Sequence, residues 1–115
     1  MRDAWHIIRE DRALTLARHL PPRLDVVAGT MLPRVSKRIL AQQIRQDLWR
    51  ALRRVRGFSP VVRIEEEGSH LKVRAGGRVH ARTFPRASTE ARIAAVLSDE
   101  SNRARWLRHA SRGQA

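Results

Sequence analysis

Residues 36–57 constrain the fold more than any other stretch of this chain. Ser36 can cap a helix, Pro33 lies just before it, and Gly57 stands where a left-handed residue releases a helix. Between them Leu40, Ala41, Ile44, Leu48, Ala51, Leu52 and Val55 recur at helical spacings and fall on one face. The pattern predicts an amphipathic helix over about 37–56. A helix with one apolar face needs an apolar layer to lie on.

The following residues supply a candidate for that layer. Val61–Glu66 and His70–Ala75 alternate apolar and polar side chains, with Glu67-Gly68-Ser69 as a turn between them. Gly76-Gly77 reads as a tight hairpin turn, because the favoured two-residue turns need positive φ. Arg78–Phe84 then reads as a third strand, ended by Pro85. Alternation places Val62, Ile64, Leu71, Val73, Val79 and Ala81 on the face toward the helices. Ser88 or Thr89 can cap a further helix, Ser98-Asp99 interrupts it, and about 100–110 forms a last one.

Before the long helix, residues 4–20 read as another amphipathic helix. Asp3 is its cap, Ala13, Leu16, Ala17 and Leu20 form its stripe, and Pro21-Pro22 stops it. A shorter helix capped by Asp11 would leave Trp5–Ile8 extended. Residues 21–35 are read as a connector, with three prolines and Gly29. The expected fold class is therefore α+β in the order α-α-β-β-β-α-α, with helices on one face of a three-stranded antiparallel meander. The expected organisation is an N-terminal helix and connector over 1–33, an α-β-β-β-α core over 34–110, and a flexible tail over 111–115.

Composition excludes several classes of function. There are no cysteines, so disulfides, thiolate metal sites and cysteine nucleophiles are out. No stretch approaches the roughly 20 apolar residues of a membrane span, and no signal-peptide apolar region precedes the first charges, so a cytoplasmic protein is expected. The five histidines lack metal-ligand spacing, and Glu65-Glu66-Glu67 diverge if they lie in a strand. No phosphate-binding glycine loop or nucleophile elbow is present. The expectation is no cofactor, no metal, no catalytic residue and no enzymatic activity.

The net charge of +13 points to partners instead. It is clustered: residues 34–56 hold eight cationic side chains against Asp47 alone, and residues 68–86 hold five and no acid. Arginine outnumbers lysine 22 to 2, which the codon usage of a GC-rich genome explains. The clustering it does not explain. Strand alternation puts Arg63, Lys72, Arg74, Arg78, His80 and Arg82 on the solvated face of the sheet, which is the first candidate contact surface. Arg45, Arg53 and Arg56, with Trp49 among them, flank the long helix and form the second. The plain alternatives are a solvated sheet face in an arginine-rich protein, and a Trp49 covered by the N-terminal helix.

On topology alone, the order helix, three-stranded meander, helix resembles a double-stranded-RNA-binding domain. That family has lysines at the start of its last helix, where this chain has Pro85-Arg86-Ala87-Ser88-Thr89-Glu90-Ala91-Arg92, and Glu90 departs from the pattern. A basic three-stranded sheet backed by a helix is also similar to integrase arm-binding domains. The expected function is non-catalytic nucleic-acid binding, with duplex DNA ahead of RNA because the sheet face lacks paired stacking aromatics. The alternative is a regulatory or assembly module for an acidic protein partner, or a homodimer formed through the N-terminal helix.

Overall fold

The computed structural model describes residues 5–112. The elements run β1 (His6–Arg9), β2 (Ala13–Ala17), β3 (Val26–Pro33), α1 (Lys37–Leu52), β4 (Phe58–Glu67), β5 (His70–Val79), α2 (Arg86–Ser98) and α3 (Glu100–Arg112). All five strands form one antiparallel sheet in the order β1-β2-β4-β5-β3. The fold is α+β, but the expected α-α-β-β-β-α-α order with a three-stranded meander is wrong.

The first correction concerns the helix expected over 4–20: its described residues, 5–20, hold the β1–β2 hairpin and no helix. The expected cap, Asp3, lies outside the described residues. Ala13, Leu16, Ala17 and Leu20 do have helical spacing, but Leu14 and Leu16 equally have strand spacing, and β-branched Ile7, Ile8 and Thr15 favour strands. Pairing decides between the two periods: Leu14 lies opposite Ile64 and Leu16 opposite Val62. Every residue of β2 is buried, so this strand carries no polar alternation to announce it. A docking surface on an N-terminal helix accordingly does not exist.

The second correction is β3, expected as connector. Its Gly29 and Pro33 argued against a strand, yet proline is tolerated at an edge, and β3 is the edge beyond β5. Two of its free backbone groups are engaged from the helical side. Val27 N–H donates to Glu90 Oε2 at 3.0 Å, and Arg103 donates to Met31 O at 2.8 Å and Thr30 Oγ1 at 2.7 Å. Engaging the edge this way blunts it as a template for pairing with another chain.

The third correction lies at Gly76-Gly77. Neither glycine has positive φ, and both sit inside β5, which runs unbroken from His70 to Val79. Space explains them. A Cβ on Gly76 would lie 1.9 Å from Val26 O, and one on Gly77 would lie 2.3 Å from Ser59 O. With no turn there, the expected third strand Arg78–Phe84 does not form, and the chain leaves the sheet after Val79. The topological resemblances to double-stranded-RNA-binding and integrase arm-binding domains fall with it.

The long helix forms as expected, except that it ends at Leu52 rather than at 56. Ile39 N–H donates to Ser36 Oγ at 3.3 Å, which is the anticipated cap. α2 starts at Arg86, so Ser88 and Thr89 lie within its first turn and do not cap it. The break at Ser98-Asp99 is present, and Asn102 N–H donates to Asp99 Oδ1 at 2.8 Å to start α3. α3 runs through Arg112, and residues 113–115 lie outside the described residues.

One core joins these elements. Leu14, Leu16, Val62, Ile64, Leu71 and Val73 from the sheet meet Leu40, Ile44 and Leu48 of α1, Ile93 and Leu97 of α2, and Trp106 of α3. Ala81, expected on the same sheet face, packs against this core from the loop beyond β5. Asp47 is buried among them: its Oδ2 accepts from Trp106 Nε1 at 2.6 Å and from Arg105 at 2.8 Å. A buried carboxylate needs such partners, and here they tie α3 to α1.

Candidate functional site

Strand register places four of the six expected sheet-face cations together. Arg63 lies opposite Arg74, Glu65 opposite Lys72 and Ser59 opposite Arg78, so Arg63, Lys72, Arg74 and Arg78 share the face away from the core. His80 and Arg82 lie beyond the end of β5. Like charges facing each other across strands are unfavourable, and this face answers with acids. Arg63 donates to Glu10 at 2.7 Å and Thr15 at 3.0 Å, and lies 3.6 Å from Glu65. Arg74 donates to the same Glu65 at 2.7 Å. The Glu10 carboxylate holds the Arg63 guanidinium above its ordinary pKa. Arg63 and Arg74 are thus engaged by acids, whereas Lys72 and Arg78 on the same face make no hydrogen bond or ion pair among the described residues.

Three carboxylates are held below their usual range by such partners. The hydrogen bond from Arg74 is the chief cause at Glu65, that from Lys37 at Glu66, and the backbone N–H of Val79 at Asp25. A carboxylate lowered in the folded state contributes stability above its unfolded pKa and loses it as pH falls through the folded value. Unfolded carboxylates titrate near ~4. The urea midpoint is therefore expected to stay level from about pH 7 to 5.5 and to decline below about pH 4.5. Arg74→Gln should make that decline shallower, because it removes the main partner of Glu65. A midpoint that rises on acidification would contradict the assignment.

Other cations without such partners gather beyond this face. Among the described residues, Arg53, Arg54, Arg56, Arg82 and Arg92 make no hydrogen bond or ion pair within 4 Å, whereas Arg34, Lys37, Arg63, Arg74 and Arg105 all do. Two short segments bring several of them together. The turn after α1 carries Arg53, Arg54 and Arg56, and the loop after β5 carries His80 and Arg82. His80 N–H donates to Gly57 O at 2.9 Å, which ties turn to loop. Gly57 has φ 77°, and a Cβ there would stand 2.5 Å from His80 O, so only glycine allows this approach.

Shallow recesses run around this end of the molecule. One of about 310 Å³ is bordered by Trp5, Arg18, His19, Arg45, Trp49 and Phe58. It adjoins one of about 420 Å³ that shares His19 and Phe58 and adds Arg78 and His80. A third, of about 360 Å³, lies between Arg54, Arg56 and Arg92. In the first, the Arg45 guanidinium sits 4.6 Å from the centroid of the Trp5 ring, a cation–π contact, and burial disfavours its charged form. Trp49 is 49% exposed, so it is not covered by any element among the described residues.

The expected residues thus divide. Arg45, Trp49, Arg78 and His80 border two adjoining recesses, Arg56 borders the third, and Arg53 and Arg82 stand on the segments that form them. Arg63, Lys72 and Arg74 remain on the sheet face. Trp5, Arg18 and His19 are not singled out by the sequence, whereas Arg54 belongs to the long-helix arginines and Arg92 to the Arg86–Arg92 stretch that it does single out. The first three were assigned to a helix, and read with a period of two they would have fallen on or beside strands next to the long helix. Arg54 and Arg92 carry no local signal beyond their charge.

Among the described residues no group of three or more His, Asp or Glu could hold a metal ion, and no helix is long and apolar enough to cross a membrane. Comparison with models of protein families, with curated proteins and with solved structures found no match.

Proposed function

We propose that this protein binds nucleic acid without catalysis, and that the contact surface is the basic end built by the α1–β4 turn, the loop after β5 and the start of α2. The observation that supports this reading most is the division of the cations. Arg63 and Arg74 on the sheet face are engaged by Glu10 and Glu65, whereas Arg53, Arg54, Arg56, Arg82 and Arg92 are not engaged, and Arg78, also unengaged, borders a recess with Gly57 and His80 at this end. Exposed like charges held close together without acids repel one another, and phosphates relieve that repulsion while releasing counterions. Duplex DNA is the first ligand to test. Trp49 beside Arg45 adds a surface on which an unpaired base can stack, so single strands form the comparison.

Affinity for duplex DNA, duplex RNA and single strands, measured by fluorescence anisotropy between 50 and 200 mM salt, tests the reading. For duplex DNA, log K against log salt is expected to fall with a slope of about −4 or steeper, which corresponds to roughly five neutralised phosphates. Trp49 emission should be quenched most by the single strand. Binding that is flat across this salt range, or absent at its lower end, would overturn the proposal.

A further inference from the structure

The start of α2 has donors and no acceptor. Pro85 at the N-cap offers no side-chain cap, and the first turn contains no acid. Thr89 N–H makes the first helical bond, to Pro85 O at 2.9 Å, and the Ser88 hydroxyl donates to the same oxygen at 3.3 Å. The N–H groups of Arg86, Ala87 and Ser88 are left at the positive end of the helix dipole. The charged side chains of this turn face the other way: Arg86 donates to the Asp25 carbonyl, and Glu90 accepts from Val27 N–H.

On the opposite side lies the recess of about 360 Å³, lined by Arg54, Arg56, Phe84, Ser88, Thr89 and Arg92. Thr89 is 1% exposed, and its Oγ1 finds no hydrogen-bond partner among the described residues. Buried hydroxyls are almost always satisfied, because an unmade bond leaves the desolvation cost uncompensated. A donor-rich helix start, an unsatisfied hydroxyl and three guanidiniums without acids meet in one place.

We infer that this recess is a phosphoryl-binding site, one that holds a single phosphate group at the start of α2. Arg54, Arg56 and Arg92 supply charge, and the Thr89 hydroxyl and the first-turn N–H groups supply directed donors. A phosphoryl group has enough acceptor oxygens, and enough charge, to occupy these donors together, whereas a carboxylate would leave several unmade. The inference rests on the reading of this end as a polyanion surface and names one position on it where a phosphate is fixed.

Inorganic phosphate, titrated into the ¹⁵N-labelled protein at constant ionic strength with chloride as the control, provides the test. Saturable shifts are expected at the amides of Ala87, Ser88 and Thr89, with an apparent Kd on the order of millimolar. Thr89→Val, which keeps the side-chain shape, should raise Tm in phosphate-free buffer and weaken phosphate binding about 5–10-fold. Arg54→Gln/Arg92→Gln should weaken it by more than about 10-fold. Chloride-like, non-saturating shifts, or wild-type phosphate affinity in both variants, would overturn the site.

Duplex DNA titrated into the same proteins separates this inference from the broader reading. If phosphate shifts nothing while duplex binds the wild-type protein with the expected salt slope, this site fails and the polyanion surface stands. If phosphate binds here and duplex does not bind at all, the nucleic-acid reading fails and the site remains as one for a small phosphorylated ligand.

Discussion

Replacing Gly76 by valine is expected to leave no folded protein at 25 °C. The first atom of the new side chain would meet Val26 O at 1.9 Å, Val26 C at 2.8 Å and Val27 Cα at 3.0 Å. All three belong to backbone, so no rotamer relieves the contact. Moving β3 away is no remedy, because Glu90, Arg86 and Arg103 hold it from the helical side. β5 cannot move either, being paired along its whole length with β4. The cost should exceed about 5 kcal/mol, which is comparable with the total stability of a domain this size. Gly68→Ala serves as the control. Gly68 has φ 60° in the β4–β5 turn, yet a Cβ there meets nothing within 4 Å, so only the backbone penalty of about 1–2 kcal/mol applies. Near-UV circular dichroism and urea titration would show a cooperative transition for Gly68→Ala and none for Gly76→Val. A Gly76→Val variant with a wild-type midpoint would mean that β3 and β5 do not pair as described.

The pair Gly76-Gly77 shows where sequence reasoning stops. Gly-Gly has two physical uses, a turn that needs positive φ and a strand position where another backbone comes too close for a Cβ, and the local sequence is identical in both. What distinguishes them here is β3, paired to β5 across Val26–Gly77 and Val27–Gly76. β3 was itself hidden by Gly29 and Pro33. Without β3 the two glycines read as a turn, and a turn there implies a third strand where the chain instead leaves the sheet. The long helix, the β4–β5 turn, the inward row Val62, Ile64, Leu71, Val73 and Val79, and the break between α2 and α3 were legible, because each carries its signal locally. Asp47 was legible only in part. It follows Ile44 by three positions and so falls beside the apolar stripe, but its partner Trp106 comes from α3. For the proposed surface, arginine clustering marks the segments, and no more than the segments, that carry the unengaged guanidiniums. Which arginines acids neutralise is a matter of register, and Glu10 reaches Arg63 only because residues 6–17 are a hairpin.

That distinction sets the second large effect. The triple reversal Arg53→Glu/Arg56→Glu/Arg82→Glu is expected to lower duplex DNA affinity by roughly 10²–10³-fold at 0.1 M salt, since each neutralised phosphate is worth nearly a decade of affinity per decade of salt. All three side chains are exposed and make no hydrogen bond or ion pair among the described residues, so the fold should survive, with an unchanged urea midpoint. The salt slope should become shallower by about three. Arg63→Gln/Arg74→Gln gives the opposite pattern. Each arginine there already donates to a carboxylate at 2.7 Å, so these positions offer phosphate little that the acids have not taken. Their loss should cost stability, on the order of 1 kcal/mol for partly exposed pairs, while affinity changes by less than about 3-fold. The two variants move different observables because pairing within the fold and pairing with phosphate compete for the same guanidinium. A triple reversal that binds like wild type, together with a sheet-face pair that does not bind, would place the contact on the sheet and show that the Glu10 and Glu65 ion pairs open for the ligand.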